Sequence, residues 1–456
     1  MKKSFYPLLL LLALASCYSG PRGELVGVQP REDWVQVNPY GMNYIHYGSY
    51  TMGPSDQDVP YALDARSKTV TIPAFYMDIH EISNNEYRQF VYYVRDSLYL
   101  DALAQNDDDR YFYAENERGQ ELDRFIRKGY ILNWEEEIDW EDEDIFDLLY
   151  DEFFMQGNDL FKDVRQLNAY KLKYRYYWID FKGAARKAGK DEEYGEVNSL
   201  NQLHSVRGHS DRSQFIIEEV IPVYPDTLTW VHDFTYGYNT PLKDYFWHPA
   251  YDDYPLVGVS WGQAKAFTYW RTQILNEWKR YNGETIVQDF RLPSEAEWEF
   301  AARGGLELQP YPWGGPYMRN IQGCPLANFK PMRGDYVEDA GCYTVPIESY
   351  SANDYGLYQM AGNVSEWTNT AYDENVYDFS HDMSPEYEYN AKNDDPPSLK
   401  RKVIRGGSWK DIGYFCQTGT RSYEYSDTAK SYIGFRCVMS YLGRGKNVDP
   451  EDFNAN

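Results

Sequence analysis

The sequence predicts a mixed fold of short strands and capped helices, interrupted by a long acidic insertion. Three observations predict it. Strand-like alternation runs into a helix start between residues 41 and 98. Two further helix starts with similar capping chemistry follow after residue 245. Between them the charge balance shifts: residues 101–160 carry 20 acidic and 5 basic side chains, a break in composition that sets this stretch apart.

The 456 residues suffice for one large domain or two ordinary ones. Apolar side chains make up 43%, enough for a sizeable core. A formal charge of -26 makes the chain a poor ligand for phosphate backbones, so nucleic acid is excluded as a partner. No internal apolar run reaches the ~18 residues of a membrane helix.

Residues 1–16 read as a lipoprotein signal. Lys2 and Lys3 are the positive start, Leu8 to Leu14 the short apolar stretch, and Leu14-Ala15-Ser16-Cys17 a lipobox whose Cys17 thiol accepts the lipid. Several acyl chains, at ~0.8 kcal/mol per buried CH₂, anchor durably. Tyr18, where an Asp would favour inner-membrane retention, points to the outer membrane and its periplasmic face. Residues 17–40 read as a lipidated tether and entry strand.

Residues 41–98 form the first part of the core. Tyr50-Thr51-Met52-Gly53 reads as a strand running into a glycine turn. Val70 to Ile72 and Ala74 to Met77 read as strands. Ser83 with Glu86 three residues later is a capping box, opening a helix with Tyr87, Phe90, Val91 and Val94 on one side.

Residues 99–244 form the insertion. A charge run is usually a solvated surface. Here aromatic and aliphatic residues interleave with the acids, which favours an ordered, partner-facing element. Its candidate contact residues are Trp134, Glu137, Trp140, Asp142 and Phe146, with Lys173 and Arg175 in the basic-aromatic stretch that follows. That basic stretch has two candidate partners, the acidic run of the same chain or that of another copy. Lys182 to Lys190 reads as a loop.

Residues 245–443 complete the core. Pro255 to Ser260 reads as a strand, with Ser260 capping a helix from Gly262 to Trp278. Ser294 and Glu297 form a second capping box, and Ala301 and Ala302 allow close packing before Gly304. Residues 444–456 are a tail. Besides Cys17 the cysteines are Cys324, Cys342, Cys416 and Cys437, which allow three disulfide connectivities and show no zinc spacing. The seven histidines are scattered, and none is assigned a catalytic role.

Seven motifs occur in one order: Tyr50 to Gly53, Val257-Gly258-Val259-Ser260-Trp261, Arg291 to Glu299, Tyr311-Pro312-Trp313-Gly314, Gly356 to Trp367, Arg405-Gly406-Gly407-Ser408-Trp409 and Gly434-Phe435-Arg436-Cys437. Together they resemble the formylglycine-generating-enzyme (sulfatase-modifying factor) domain family. The resemblance implies an irregular α+β fold, distantly like C-type lectins. Oxidising members of that family use a Cys pair, with copper, just after the Gly-Gly-Ser motif. Here Lys410 and Asp411 stand where the first Cys would fall, and Cys416 is single, so the resemblance implies a non-enzyme that binds no copper. Cys416 and Cys437 remain the disulfide candidates. The family's structural calcium sites map to Asn328 and Asp339 with the carbonyls of Phe329 and Gly341, and to Glu366 with the carbonyls of Gly362 and Val364. Gln359 stands where Asn or Asp is usual. The alternative is that these side chains cap turns without metal.

A lipobox, a core without the Cys pair and an acidic-aromatic insertion also resemble the GldK/PorK family of gliding-motility and type IX secretion lipoproteins. That resemblance implies a ring subunit under the outer membrane, self-associating and built with a GldN/PorN-type periplasmic partner. It also implies association with a PorG-type outer-membrane barrel and, indirectly, the GldL/GldM motor. The alternatives are a GldJ-like sibling lipoprotein, a lipid-anchored oxidase and a sugar-binding surface lipoprotein.

Overall fold

The computed structural model describes residues 36–54, 66–106, 110–113, 131–157, 164–181, 215–233, 244–331, 341–392 and 394–443. The signal, Cys17, the 182–190 stretch, Asp339 and the tail lie outside them. Asn38–Tyr441 is one compact unit. The described residues of the terminal unit include Gln36 and Leu442, where the Leu442 N–H donates to Gln36 Oε1 at 2.9 Å.

Along the chain run β1 (Met42–Ile45), β2 (Gly48–Met52), β3 (Lys68–Ile72), β4 (Phe75–Asp78), α1 (Asn84–Gln105), β5 (Phe112–Tyr113), β6 (Ile131–Leu132) and α2 (Glu143–Phe153). Then come β7 (Lys173–Ile179), β8 (Ile216–Pro222), α3 (Thr229–Asp233), α4 (Trp261–Tyr281), β9 (Phe290–Arg291) and α5 (Glu295–Arg303). The last elements are β10 (Ser365–Ala371), α6 (Val376–Phe379), β11 (Arg401–Arg405), β12 (Ser422–Tyr425), β13 (Ile433–Gly434) and β14 (Val438–Ser440).

A four-stranded antiparallel sheet, β1-β4-β14-β9, separates two apolar cores. Alternation along a strand sends successive side chains to opposite faces. Thus Phe75 and Met77 of β4 enter one core and Tyr76 the other, while Val438 and Met439 of β14 divide the same way. Both faces are covered, which is why β4 is buried throughout. A second sheet, β12-β11-β10-β13, is antiparallel except where β13 meets β10.

The predicted caps form. Ser83 and Glu86 close a capping box on α1, and Ser294 and Glu297 close one on α5. On α4 the box is completed by Gln263, and the helix runs from Trp261 to Tyr281, longer than expected at both ends. Pro255 to Ser260 is not a strand. Gly258 turns with φ +78°, and the amides of Leu256, Gly258 and Trp261 donate to Ile82, Lys430 and Ser426. Amides divided between the Ile82 segment and the β12–β13 connection build no ladder.

The expected break at residue 99 falls inside α1, which continues to Gln105. Its first half packs Tyr87, Phe90 and Val94 into the main core. Its second half packs Tyr99, Leu100 and Leu103 against Ile145, Leu149 and Phe153 of α2. The β7–β8 ribbon lays Tyr174 and Tyr176 toward α4, with Tyr174 Oη donating to Gln273 at 2.7 Å and Tyr176 stacked on Tyr269.

Gly362 has φ +77°, and a Cβ there would stand 2.3 Å from the Asn328 carbonyl oxygen. Gly362→Ala is therefore expected to lower unfolding stability by about 2 kcal/mol or more, read by denaturant melts, because neither the backbone nor the clash can relax cheaply.

Candidate functional site

Strand β11 ends at Arg405 and delivers the chain into Gly406 and Gly407, both at positive φ. A Cβ on Gly407 would sit 2.7 Å from the Phe415 carbonyl, so only glycine lets the loop fold back this tightly. That fold-back seats Cys416, fully buried, against Tyr311, Ala327 and Ala361. Ser408 Oγ donates to Asp411 Oδ2 at 2.6 Å, and the Lys330 N–H donates to the Asp411 carbonyl at 2.8 Å. Burial pushes the Asp411 carboxyl up despite the Ser408 bonds. Burial, and then the nearby Asp411 charge, push the Cys416 thiol far above its ordinary value. A raised thiol pKa lowers the thiolate fraction, the form that acts as nucleophile.

The disulfide expected between Cys416 and Cys437 is not formed; both thiols are free and buried. Cys437 lies in the main core, separate from the small cluster around Cys416. Its amide donates to Asp78 Oδ2 at 2.8 Å, and burial raises its thiol too. Cys324 and Cys342 are exposed and free.

Buried charge surrounds the loop. Arg405 Nη2 donates to Glu299 Oε2 at 2.6 Å and reaches Glu295 Oε1 at 3.0 Å. Arg421 Nε donates to Glu295 Oε1 at 2.6 Å, and Arg303 Nη2 to Glu299 Oε1 at 2.6 Å. Burial alone would raise Glu295, yet the Arg421 and Arg405 guanidinia hold it below the ordinary carboxylate range. A second buried pair joins Arg436 to both oxygens of Glu366 at 2.6 and 2.7 Å, and Trp298 Nε1 donates to the same carboxylate at 2.7 Å. Beside it Glu81 accepts from Asn363 Nδ2 at 2.7 Å, its carboxyl raised by burial and by Glu366.

Glu366, the expected ligand of the second calcium site, is the carboxylate of this ion pair. Its carboxylate neutralises a guanidinium, and a cation there would face that positive charge. Gln359 Oε1 is buried without a hydrogen-bond partner among the described residues. Six to eight oxygens are needed, and no group of three or more His, Cys, Asp or Glu side chains among the described residues is placed to hold a metal. At the first site Asn328 is buried and its Nδ2 donates to the Tyr343 carbonyl at 2.6 Å. Phe329 and Gly341 flank that region, and Asp339 is not described.

The insertion's candidate contacts are spread over three places. Trp134 stacks on Tyr93 at 4.9 Å, and Trp140 meets Tyr99 edge-on at 5.7 Å, both half-exposed at the margin of α1. Asp142 caps α2 and pairs with Arg110 at 3.7 Å; Glu137 is exposed. Phe146 stacks on Tyr150, with Arg165 over its ring at 4.5 Å. Lys173 and Arg175 lie on the outer face of β7, where Arg175 pairs with Glu218 of β8 at 3.2 Å. The structure thus pairs Arg175 with the neighbouring strand rather than the acidic run.

Sequence reasoning missed the Glu295–Glu299–Arg303 array and its partners Arg405 and Arg421. The available signal was one acid and one acid-base step at four-residue spacing in a helix otherwise rich in Ala and aromatics.

A family model, the sulfatase-modifying factor enzyme 1-like domain, matches residues 30–441. The chain belongs to this family. Bovine formylglycine-generating enzyme is 27% identical over 415 residues, covering 89% of this chain and 76% of that protein. Bovine inactive C-alpha-formylglycine-generating enzyme 2 is 34% identical over 192 residues, covering 41% of this chain and half the length of that relative. Among solved structures, PvdO from Pseudomonas aeruginosa aligns with 91% of this chain at 14% identity and a TM-score of 0.45. The sulfatase-modifying factor relatives thus include proteins named both as active and as inactive.

Native labelling with a maleimide is expected to modify Cys324 and Cys342 and spare Cys416 and Cys437. Labelling after unfolding without reductant should add both of the latter, as intact mass would show. A Cys416–Cys437 disulfide would leave those two unlabelled.

Proposed function

We propose that the chain is a non-catalytic, lipid-anchored building block of the type IX secretion and gliding-motility machinery. The observation that supports a non-catalytic reading is the loop after Ser408, where the Asp411 carboxylate, hydrogen-bonded to Ser408, takes the place of the family's first Cys and Cys416 is the single thiol. The inactive family relatives support this reading. In it, the sulfatase-modifying factor fold persists as a rigid body held by buried ion pairs. Lipid on Cys17 fixes it to the periplasmic face of the outer membrane. The half-exposed Trp134 and Trp140 and the exposed acids beside them offer a surface to a GldN/PorN-type partner and to neighbouring copies in a ring. A PorG-type barrel and the GldL/GldM motor complete the assembly.

Purification of the tagged full chain from outer membranes in mild detergent tests this, read by mass spectrometry and negative-stain microscopy. Large rings containing a GldN-like partner are the expected result. A lone monomer that binds copper and oxidises a cysteine peptide would overturn the proposal and restore the oxidase reading favoured by the match to active relatives.

A structural calcium at Asn328 and Asp339, with the carbonyls of Phe329 and Gly341, is the cofactor that remains compatible with this reading. Added calcium is expected to raise the melting temperature of chelator-treated protein, and Asp339→Ala to abolish the rise. An unchanged melting temperature in the wild type would reject the site.

A further inference from the structure

The geometry points to a saccharide-binding cleft beside the end of β10, taking one neutral hexose unit of a glycan. The cleft has a volume of about 250 Å³ and is lined by Tyr372, Asp373, Glu374, Tyr389, Ser398 and Arg401, among others. That is just below the ~300–1,000 Å³ of pockets for drug-sized ligands, so it suits a single ring.

Its walls are fixed in advance. The Tyr372 N–H donates to the Arg401 carbonyl at 3.0 Å, and the Ala371 N–H to the Tyr387 carbonyl at 2.8 Å. The Tyr372 ring lies 4.5 Å from Tyr423, with the Arg421 guanidinium 5.0 Å from its centroid. Arg401 covers Tyr423 at 4.5 Å. Tyr389 Oη donates to Asp395 Oδ2 at 3.0 Å, which ties that ring to the turn beyond it. Rings held in place at low entropic cost are the platforms on which a sugar face stacks.

The charges choose the ligand. Two carboxylates against one guanidinium disfavour a phosphate or another anion. Arg401 in the same wall disfavours a Lys or Arg side chain. The lining is mostly polar, with the tyrosine rings and Leu399 as apolar surfaces, so a wholly apolar ligand gains little. A polyhydroxyl ring matches what remains: carboxylates as acceptors and Ser398 as both donor and acceptor. The cleft is lined by none of Ser408, Asp411 and Cys416, so it stands apart from the thiol loop and is independent of the scaffold proposal.

The test is saturation-transfer NMR and calorimetry on the full chain in a detergent without a sugar headgroup, with glucose, galactose, mannose, N-acetylglucosamine and their disaccharides as probes. The expected result is saturable binding of at least one probe, weakened tenfold or more in Glu374→Gln and in Tyr389→Ala while both variants keep the parent melting temperature. Absence of saturable binding across the panel would overturn the inference. So would binding that both folded variants retain, or preferential binding of lysine or inorganic phosphate. If Tyr389→Ala fails to fold, Glu374→Gln decides alone, because its side chain is exposed and changes only in charge.

Discussion

The molecule depends on carboxylates and guanidinia buried together. Glu295 and Glu299 project from one helix and are met by Arg303 of the same helix, by Arg405 at the end of β11 and by Arg421 at the edge of β12. Gly53, at the end of β2, donates its amide to Glu299 and accepts from Arg303. One array therefore ties a helix, a sheet and a hairpin end. Removing one member of such a pair typically costs 3–5 kcal/mol, because the other charge stays buried and uncompensated. Such pairs need not outperform an apolar core in energy.

The Gly-Gly-Ser loop inherits its rigidity from that array. Arg405 Nη1 also donates to the carbonyls of Thr418 and Thr420, clamping the far side of the loop that carries Asp411 and Cys416. The loop is thus held from both sides. A low-dielectric setting that would activate a paired thiolate beside a cation instead suppresses a lone thiol beside a carboxylate. Scaffold and chemistry are separable here because the residues that hold the loop are not those that would react.

The insertion is joined to the body through continuous packing. Helix α1 starts in the main core and ends in the cluster formed with α2, so the acidic stretch has a folded base. Its charges line the outside of α2 while Ile145, Leu149 and Phe153 face inward. That is the amphipathic division expected when a charged segment is also required to pack.

The sequence by itself determined the helix starts, the strands β2 to β4 and the family. Those signals are local: a Ser three residues before Glu, alternating apolar residues, fixed motifs at fixed spacing. Only the tertiary structure decided what long-range geometry governs. The segment before Ser260 looked like a strand, but its amides serve three separate partners. Glu366 is paired with Arg436, seventy positions on, a contact no local pattern announces. Cys416 and Cys437 looked like a pair, but separate clusters claim them. In each case the residue type was legible, while its partner was set by which distant segments the folded chain brings together.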